Sequence, residues 1–536
     1  MTNLMAQAYV KTACQALDTH KRDYTVENKG ILTKKDASIL LFCVFVVGYC
    51  TIIYELLIGS ISSYFIGDSI KQFSITIGLT MTAMGIGTLI SRFFKNNLIY
   101  WFIMIEILLA IVGGLSVPIL YWIYSIQFFY YPIMCILIII IGTLIGLEIP
   151  LLTRIMEEYF QLRENISNVL SLDYLGAFLA SLAFPFLLLP FLGVFNSSLS
   201  TGLMNLLVGV LTFYWFKNKL TKKRRVMLNT QAVLIVILLV GCMLFSKEIS
   251  MYLENSMYDD RVVFSKQTKY QKLVITKNKE DLRLYIDGNT QFSTIDEYRY
   301  HESLIHVPMN MVKHRENVLI LGGGDGLAAR ELLKYPDVKQ ITVVDLDKEM
   351  TDLAVKNHMM AELSEHSFEN PKVKILNEDA FKFLENAKQY FDVIIIDLPD
   401  PNNSSLARLY SKEFYKVARQ KLAQNGVMVT QSTSPFFAPE AFWCIQESLK
   451  AAGFKYTKPY HTYVPSFGDW GFMLAGNRPL DTSRINITIP TKYLDNKSVP
   501  SLFVIEKDLY RKNIKASTLN NPTILNYYLN GWRYWN

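Results

Sequence analysis

The chain of 536 residues predicts a multi-pass α-helical membrane domain followed by an α/β, Rossmann-like domain with a small β-rich unit at its N-terminal side. Three observations predict it. Long apolar runs crowd residues 1–250 and stop there. Short strand-like segments bounded by turn residues follow residue 260. From residue 317 a strand, a glycine loop, a helix and a second strand ending in an acid stand in register.

Residues 1–36 are polar and charged and lack the apolar core of a signal peptide, so they read as a cytoplasmic N-terminal segment. A transmembrane domain of about seven helices follows over 37–246, with apolar runs at 37–59, 72–91, 98–124, 129–152, 170–194, 197–216 and 229–246. A run of roughly 20 residues crosses a hydrocarbon core of about 30 Å. Pro185 and Pro190 predict a kink in the fifth run, tolerated where neighbours satisfy the freed backbone. Glu55, Glu106, Glu148 and Asp173 fall inside or at the edge of the runs. A charged side chain there costs about 2.5–3.5 kcal/mol on insertion scales. These acids mark either a polar path for a cation, or interfacial positions and interhelical hydrogen bonds.

Of the formal net charge of +7, +5 lies in residues 1–250. Lys and Arg gather before the first run (Lys34, Lys35) and after the second (Arg92, Lys95), fourth (Arg154, Arg163) and sixth (Lys217 to Arg225). Cationic loops stay in the cytoplasm, so the N-terminus reads as inside. The basic excess thus points to a lipid bilayer as partner and not to nucleic acid. The six cysteines form no C-x-x-C pair and four sit in apolar runs, which argues against a disulfide framework or a metal site.

Residues 261–314 read as the β-rich unit, with strands Leu273–Thr276 and Leu282–Ile286 and a turn at Asp287-Gly288. The Rossmann-like domain covers 315–480, and a C-terminal tail, 481–536, carries no motif. Strand Asn317–Leu321 runs into Gly322-Gly323-Gly324-Asp325-Gly326, then a helix, then strand Gln340–Val344 ending at Asp345. Glycines let the backbone approach a ligand, and an acid ending the second strand accepts hydrogen bonds from ribose hydroxyls. Strand Val373–Leu376 leads to Glu378-Asp379, suited to an adenine amino group, and Phe391–Ile396 ends at Asp397. Any one of these acids also fits a helix cap or a turn. Four acids at consecutive strand ends, the side where open α/β sheets bind ligands, fit a nucleoside site better.

The glycine loop 322–326, Tyr300-His301-Glu302, Gln291 and Asp397-x-x-Asp400-Pro together resemble the spermidine synthase family, the polyamine aminopropyltransferases, over about residues 265–475. The segment 464–472 and the apolar N-terminus resemble its membrane-fused branch. The resemblance implies a class I S-adenosylmethionine-dependent-transferase-like fold and decarboxylated S-adenosylmethionine as co-substrate, with no metal. It implies aminopropyl transfer to an amine, putrescine to spermidine or a related polyamine, with release of methylthioadenosine. Carried over, it makes Asp397 the base with Tyr300 beside it, and Gln271 the contact near the sulfonium arm. His301 and Asp325 would hold the aminopropyl ammonium, Gly322 and Gly324 would line the nucleoside, Asp345 would take the ribose, and Glu378 and Asp379 the adenine. Asp400 and Gln431 would steer the acceptor. A homodimer is implied too, unless the fused helices replace that interface. The nucleoside is made in the cytosol, yet seven crossings from a cytoplasmic N-terminus end outside. Either one run fails to cross or the domain works outside on another supply; the expectation is the first, a multi-pass protein of the cell (inner) membrane with a cytoplasmic catalytic domain.

The chemistry asks for acids on its own terms. The attacking amine must be neutral, while free alkylamines have a pKa of about 10, so a carboxylate at the nitrogen takes the proton as the bond forms. The loop Asn402–Tyr410 departs from the family pattern: it is one residue longer and carries Arg408, either a solvated charge or a group facing the acceptor pocket. The alternative readings are an S-adenosylmethionine-dependent methyltransferase and a polyamine transport or sensing protein.

Overall fold

The computed structural model describes residues 33–66, 69–125, 129–157 and 162–533; the expected cytoplasmic segment lies outside them up to residue 32. The apolar half forms helices α1 (Lys34–Ile66), α2 (Ser69–Ile90), α3 (Leu98–Gly114), α4 (Ser116–Ser125), α5 (Tyr130–Met156), α6 (Leu162–Ala183), α7 (Leu189–Phe216) and α8 (Lys222–Leu244). Six continuous stretches are long and apolar enough to cross a membrane, one of them the 56 residues Glu164–Lys219. At about 1.5 Å per residue that stretch is far too long for one crossing of a core of about 30 Å. It breaks at Gly193, whose φ of 68° and ψ of 179° leave the helix. The stretch therefore makes two legs, one on each side of Gly193, and the described residues hold seven membrane-length segments.

Helix α6 begins eight residues before the apolar run at 170–194. Asn165 is buried there because its amide donates to the Thr153 carbonyl of α5 at 2.6 Å. Small residues let other legs meet backbone to backbone: a Cβ on Gly146 of α5 would lie 2.1 Å from the Met84 carbonyl oxygen of α2. Of the readings open for the acids of the apolar runs, Glu106 takes the interhelical hydrogen bond. Asn205 of α7 donates to it at 2.8 Å, and Tyr54 of α1 donates to Asn205 at 2.8 Å.

The two ends of this bundle differ. At one, Trp215 donates to Asp36 at 2.5 Å, Arg154 donates to the Ser91 and Phe94 carbonyls at 2.7 and 3.0 Å, and Arg224 lies 4.6 Å from the Tyr100 ring. The cationic loops thus share that end with the start of α1. The soluble half sits at the other end. A cavity of about 2860 Å³ lies between the halves, lined by Tyr64, Tyr121 and Pro190 from the helices and by Asp347 and Asp400 from the soluble side.

Helix α9 (Ser246–Asn255) makes the connection, and its Glu254 pairs with Lys272 at 2.7 Å. Strands β1 (Arg261–Gln267), β2 (Lys272–Asn278), β3 (Asp281–Ile286) and β4 (Asn289–Ser293) form a four-stranded antiparallel sheet in that order. Asp287 and Gly288, both at positive φ (48° and 78°), make the two-residue turn between β3 and β4. Helix α10 (Glu297–Met309) leads into the main sheet. That sheet contains β5 (Asn317–Gly322), β6 (Gln340–Val344), β7 (Val373–Leu376), β8 (Phe391–Asp397), β9 (Leu422–Gln431), β10 (Tyr456–Val464) and β11 (Gly468–Gly476). Helices α11 (Leu327–Leu333), α12 (Lys348–Lys356), α13 (Ala380–Asn386), α14 (Lys412–Lys421) and α15 (Pro439–Ala451) connect its strands.

The sheet order is β10-β11-β9-β8-β5-β6-β7, parallel from β9 to β7 with the last hairpin antiparallel. The central strands read as near-continuous apolar runs because helices cover both faces, and Val318–Leu321 and Val393–Ile396 are fully buried. The chain order reverses between β5 and β8, which opens a crevice at their C-terminal ends. Past Gly476 the tail wraps back and ends in α16 (Thr523–Arg533), packed on α15.

Candidate active site

The crevice is built by backbone convergence. Gly322 ends β5 at φ 85°, and a Cβ there would lie 2.0 Å from the Asp397 carbonyl oxygen of β8. Only glycine allows that approach in that conformation. At Gly324 a Cβ would lie 2.5 Å from the Asp345 carboxylate, so the loop is drawn onto the acid that ends β6.

Asp397 is half-buried at the end of β8 and accepts a hydrogen bond of 2.5 Å from the Tyr300 hydroxyl of α10. Burial, then the charge of Asp325, lifts its carboxyl to about 6, against the opposing pull of His301 and Tyr300. Asp325 itself turns one oxygen to the Leu327 amide at 2.9 Å, capping the start of α11. Asp345 accepts from the Asp347 amide at 2.8 Å, and burial raises it to about 7, with Asp347 and Asp325 adding repulsion.

His301 is buried, and its Nδ1 meets the Glu297 carboxylate at 2.8 Å. Burial favours the neutral ring, but Glu297, with Asp325 and Asp397 behind it, holds the proton up to about 9. His301 is thus a cation paired with Glu297. It can face an ammonium only by giving up that proton, a condition absent from the sequence-based expectation.

Past the end of β7, Asp379 caps α13 by accepting from the Lys382 amide at 3.0 Å. Its other oxygen pairs with Arg408. Arg408 is therefore neither a free loop charge nor a group turned toward Asp400: it is the ion-pair partner of Asp379. Glu378 is half-buried beside Asp379. Gln271 sits in a tight turn, its amide donating to the Thr268 hydroxyl at 3.0 Å, while Thr268 donates to Asp347 at 2.7 Å. This ties the small sheet to the loop that follows β6.

At the other end, the Gln431 amide nitrogen donates to Asp400 at 3.1 Å and to the Tyr410 hydroxyl at 2.5 Å. The Thr433 hydroxyl donates to the second Asp400 oxygen at 3.2 Å. Thr433 holds φ at 53°, a conformation that costs a β-branched residue on the order of 1–3 kcal/mol. Asp400 is lifted to about 6 by burial, although three hydrogen bonds, from Gln431, Tyr528 and Thr433, favour its ionised form.

The crevice thus gathers Asp345 and Asp397 at strand ends, with Asp400 beyond them. The spermine/spermidine synthase domain matches residues 297–483. The polyamine aminopropyltransferase of Leptospira interrogans is 40% identical over 92% of this chain and 98% of its own length. That of Oceanobacillus iheyensis is 39% identical over 91% of this chain and 96% of its own, and polyamine aminopropyltransferase 2 of Ralstonia nicotianae is 39% identical over 92% and 98%. The chain belongs to the polyamine aminopropyltransferase family. It is an enzyme of polyamine biosynthesis, and the likeness to these family members runs through the apolar half as well as the domain.

Family membership did not lead to every group at the site. Glu297 lies in the Asp296–Glu302 run, which carried part of the resemblance, but nothing in the sequence tied it to Arg330, which donates to both its oxygens at 2.9 Å. Thr433 and Tyr528 carried no sequence signal. Among the described residues no group of three or more His, Cys, Asp and Glu stands close enough to hold a metal ion.

Proposed function

We propose that this aminopropyltransferase moves the aminopropyl group of decarboxylated S-adenosylmethionine to an amine acceptor, with putrescine giving spermidine as the leading case. The observation that carries the reading is Asp397, half-buried, hydrogen-bonded by Tyr300 and beside Asp325, at the mouth of a glycine-lined crevice. In the step, the acceptor nitrogen's lone pair forms a bond to the propyl carbon. The carbon–sulfur bond breaks, its electrons neutralise the sulfonium, and Asp397 takes the proton from nitrogen. Positioning of amine against carbon supplies much of the remaining acceleration. Asp345 and Asp379 hold ribose and adenine, with Glu378, Gly322, Gly324 and Gln271 around the nucleoside. His301 and Asp325 attend the aminopropyl ammonium, and Asp400 with Gln431 steers the acceptor.

Mass spectrometry of products from the purified full-length protein tests the reading. Methylthioadenosine is expected; S-adenosylhomocysteine from carboxylated S-adenosylmethionine would mark a methyltransferase instead. Asp325 supplies selectivity, because the extra carboxylate of S-adenosylmethionine would meet its negative charge. Asp325→Asn is expected to narrow the preference for the decarboxylated nucleoside by about tenfold, on the scale of one lost like-charge contact. An unchanged ratio of inhibition constants for the two nucleosides would remove that role.

The apolar helices are read as crossing the cell membrane, with the cationic end in the cytoplasm. The catalytic domain then lies on the opposite face, a departure from the cytoplasmic placement expected from sequence, and the nucleoside must reach that face. A phosphatase active only outside the cytoplasm, fused at the C-terminus, is expected to be active. Activity confined instead to a fusion in the loop at residue 220 would reverse the orientation.

A further inference from the structure

Helix α16 lies outside the matched domain, yet it closes one side of the acceptor end. Ile524, Leu525 and Tyr528 are buried in the apolar cluster that contains Ala438, Phe442 and Ile445 of the α15 region. The contact is backbone-close: a Cβ on Gly531 would lie 2.8 Å from both the Phe437 carbonyl oxygen and the Ala438 Cα. The Trp532 ring stands 5.0 Å from Phe437, which fixes the last turn of the helix. From this platform Tyr528 shares the wall of the large cavity with Asp400, near enough for each side chain to act on the other's titration.

Asp400, Tyr528, Trp532 and Trp470 all line the large cavity facing the membrane helices. The indole N–H groups of Trp470 and Trp532 are buried without a hydrogen-bond partner. Aromatic faces suit a cationic or methylene-rich chain, which they contact without fixing its hydrogen bonds.

Resting on the aminopropyltransferase reading, we propose that the C-terminal helix forms the distal wall of the acceptor site and that Tyr528 and Trp532 set the acceptor's length. An amine reacting at Asp397 with its far ammonium at Asp400 ends against the Tyr528 ring. A longer polyamine has to pass that ring to enter the cavity beyond. Tyr528 is a specificity-determining residue in this arrangement, standing beside the anchoring carboxylate with its ring as the stop.

The test is the ratio of kcat/KM for spermidine to that for putrescine, measured on the full chain in detergent or lipid. Tyr528→Ala is expected to raise the ratio by about tenfold or more, as removal of a steric stop in a binding pocket does. Tyr528→Phe keeps the ring and is expected to keep the ratio, with its effect confined to KM. Should Tyr528→Ala fail to fold, Trp532→Ala takes its place, with the ratio again expected to rise. A purely structural role for the helix would lower the rates for both amines together and leave the ratio where it was, and that result overturns the proposal. Absence of methylthioadenosine from the parent protein with any amine would instead sink the reading on which it rests.

Discussion

Asp397→Asn is expected to lower kcat by about 10²–10⁴-fold, the range that a positioned general base supplies. The amide keeps the shape of the carboxylate and a group to receive the Tyr300 hydrogen bond, so nucleoside binding is expected to persist. The parent enzyme should also lose activity as the pH falls through about 6, where the Asp397 carboxyl takes up a proton and ceases to be a base. The sign follows from the raised value: the working carboxylate is the form present above it. A pH–rate profile beside nucleoside titration checks both statements. A variant with near-normal turnover would remove Asp397 from the base role.

Glu297→Gln is expected to have the largest effect on stability. Glu297 is 2% exposed and takes two hydrogen bonds from Arg330 and one contact from His301. Burial pushes its carboxyl up, but His301 and Arg330 outweigh burial and hold it below the usual carboxylate range. Removing one partner of such a buried set leaves unpaired charge and costs about 3–5 kcal/mol. Part of that depends on pH. His301, raised to about 9, contributes fully below its ordinary value near 6.5, and the contribution fades as pH rises through about 9. The stability gap between parent and variant should therefore narrow above that pH, while the Arg330 part remains. Thermal unfolding of the full chain across that range checks it, and equal unfolding temperatures at pH 7 would show that the network carries no such weight.

These two residues also separate what could be read from the chain and what could not. Asp397 was legible because its context is local: an apolar strand, then an acid, then a turn, in a register that places the acid at the strand's C-terminal end. The same held for Gly322, Gly324, Asp345 and Asp379. Glu297 was visible only as one residue of a charged run. Its partnership with Arg330 needs α10 laid against α11, a packing that local periodicity does not record. Arg408 shows the same limit. Its loop was identified as unusual, but the choice of Asp379 over the acceptor pocket belongs to how that loop folds across the sheet.

The amino-acid pattern by itself determined the two-part architecture, the placing of acids at the strand ends of the α/β domain and the membership of a polyamine-making family. Each rests on residues close along the chain, where hydrophobic periodicity and turn chemistry act directly. Only the tertiary structure decided that the soluble half abuts the bundle end opposite the cationic loops, that His301 is a paired cation, and that the C-terminal helix reaches Asp400. Those facts depend on which buried surfaces meet, and burial joins residues without regard to their separation in sequence.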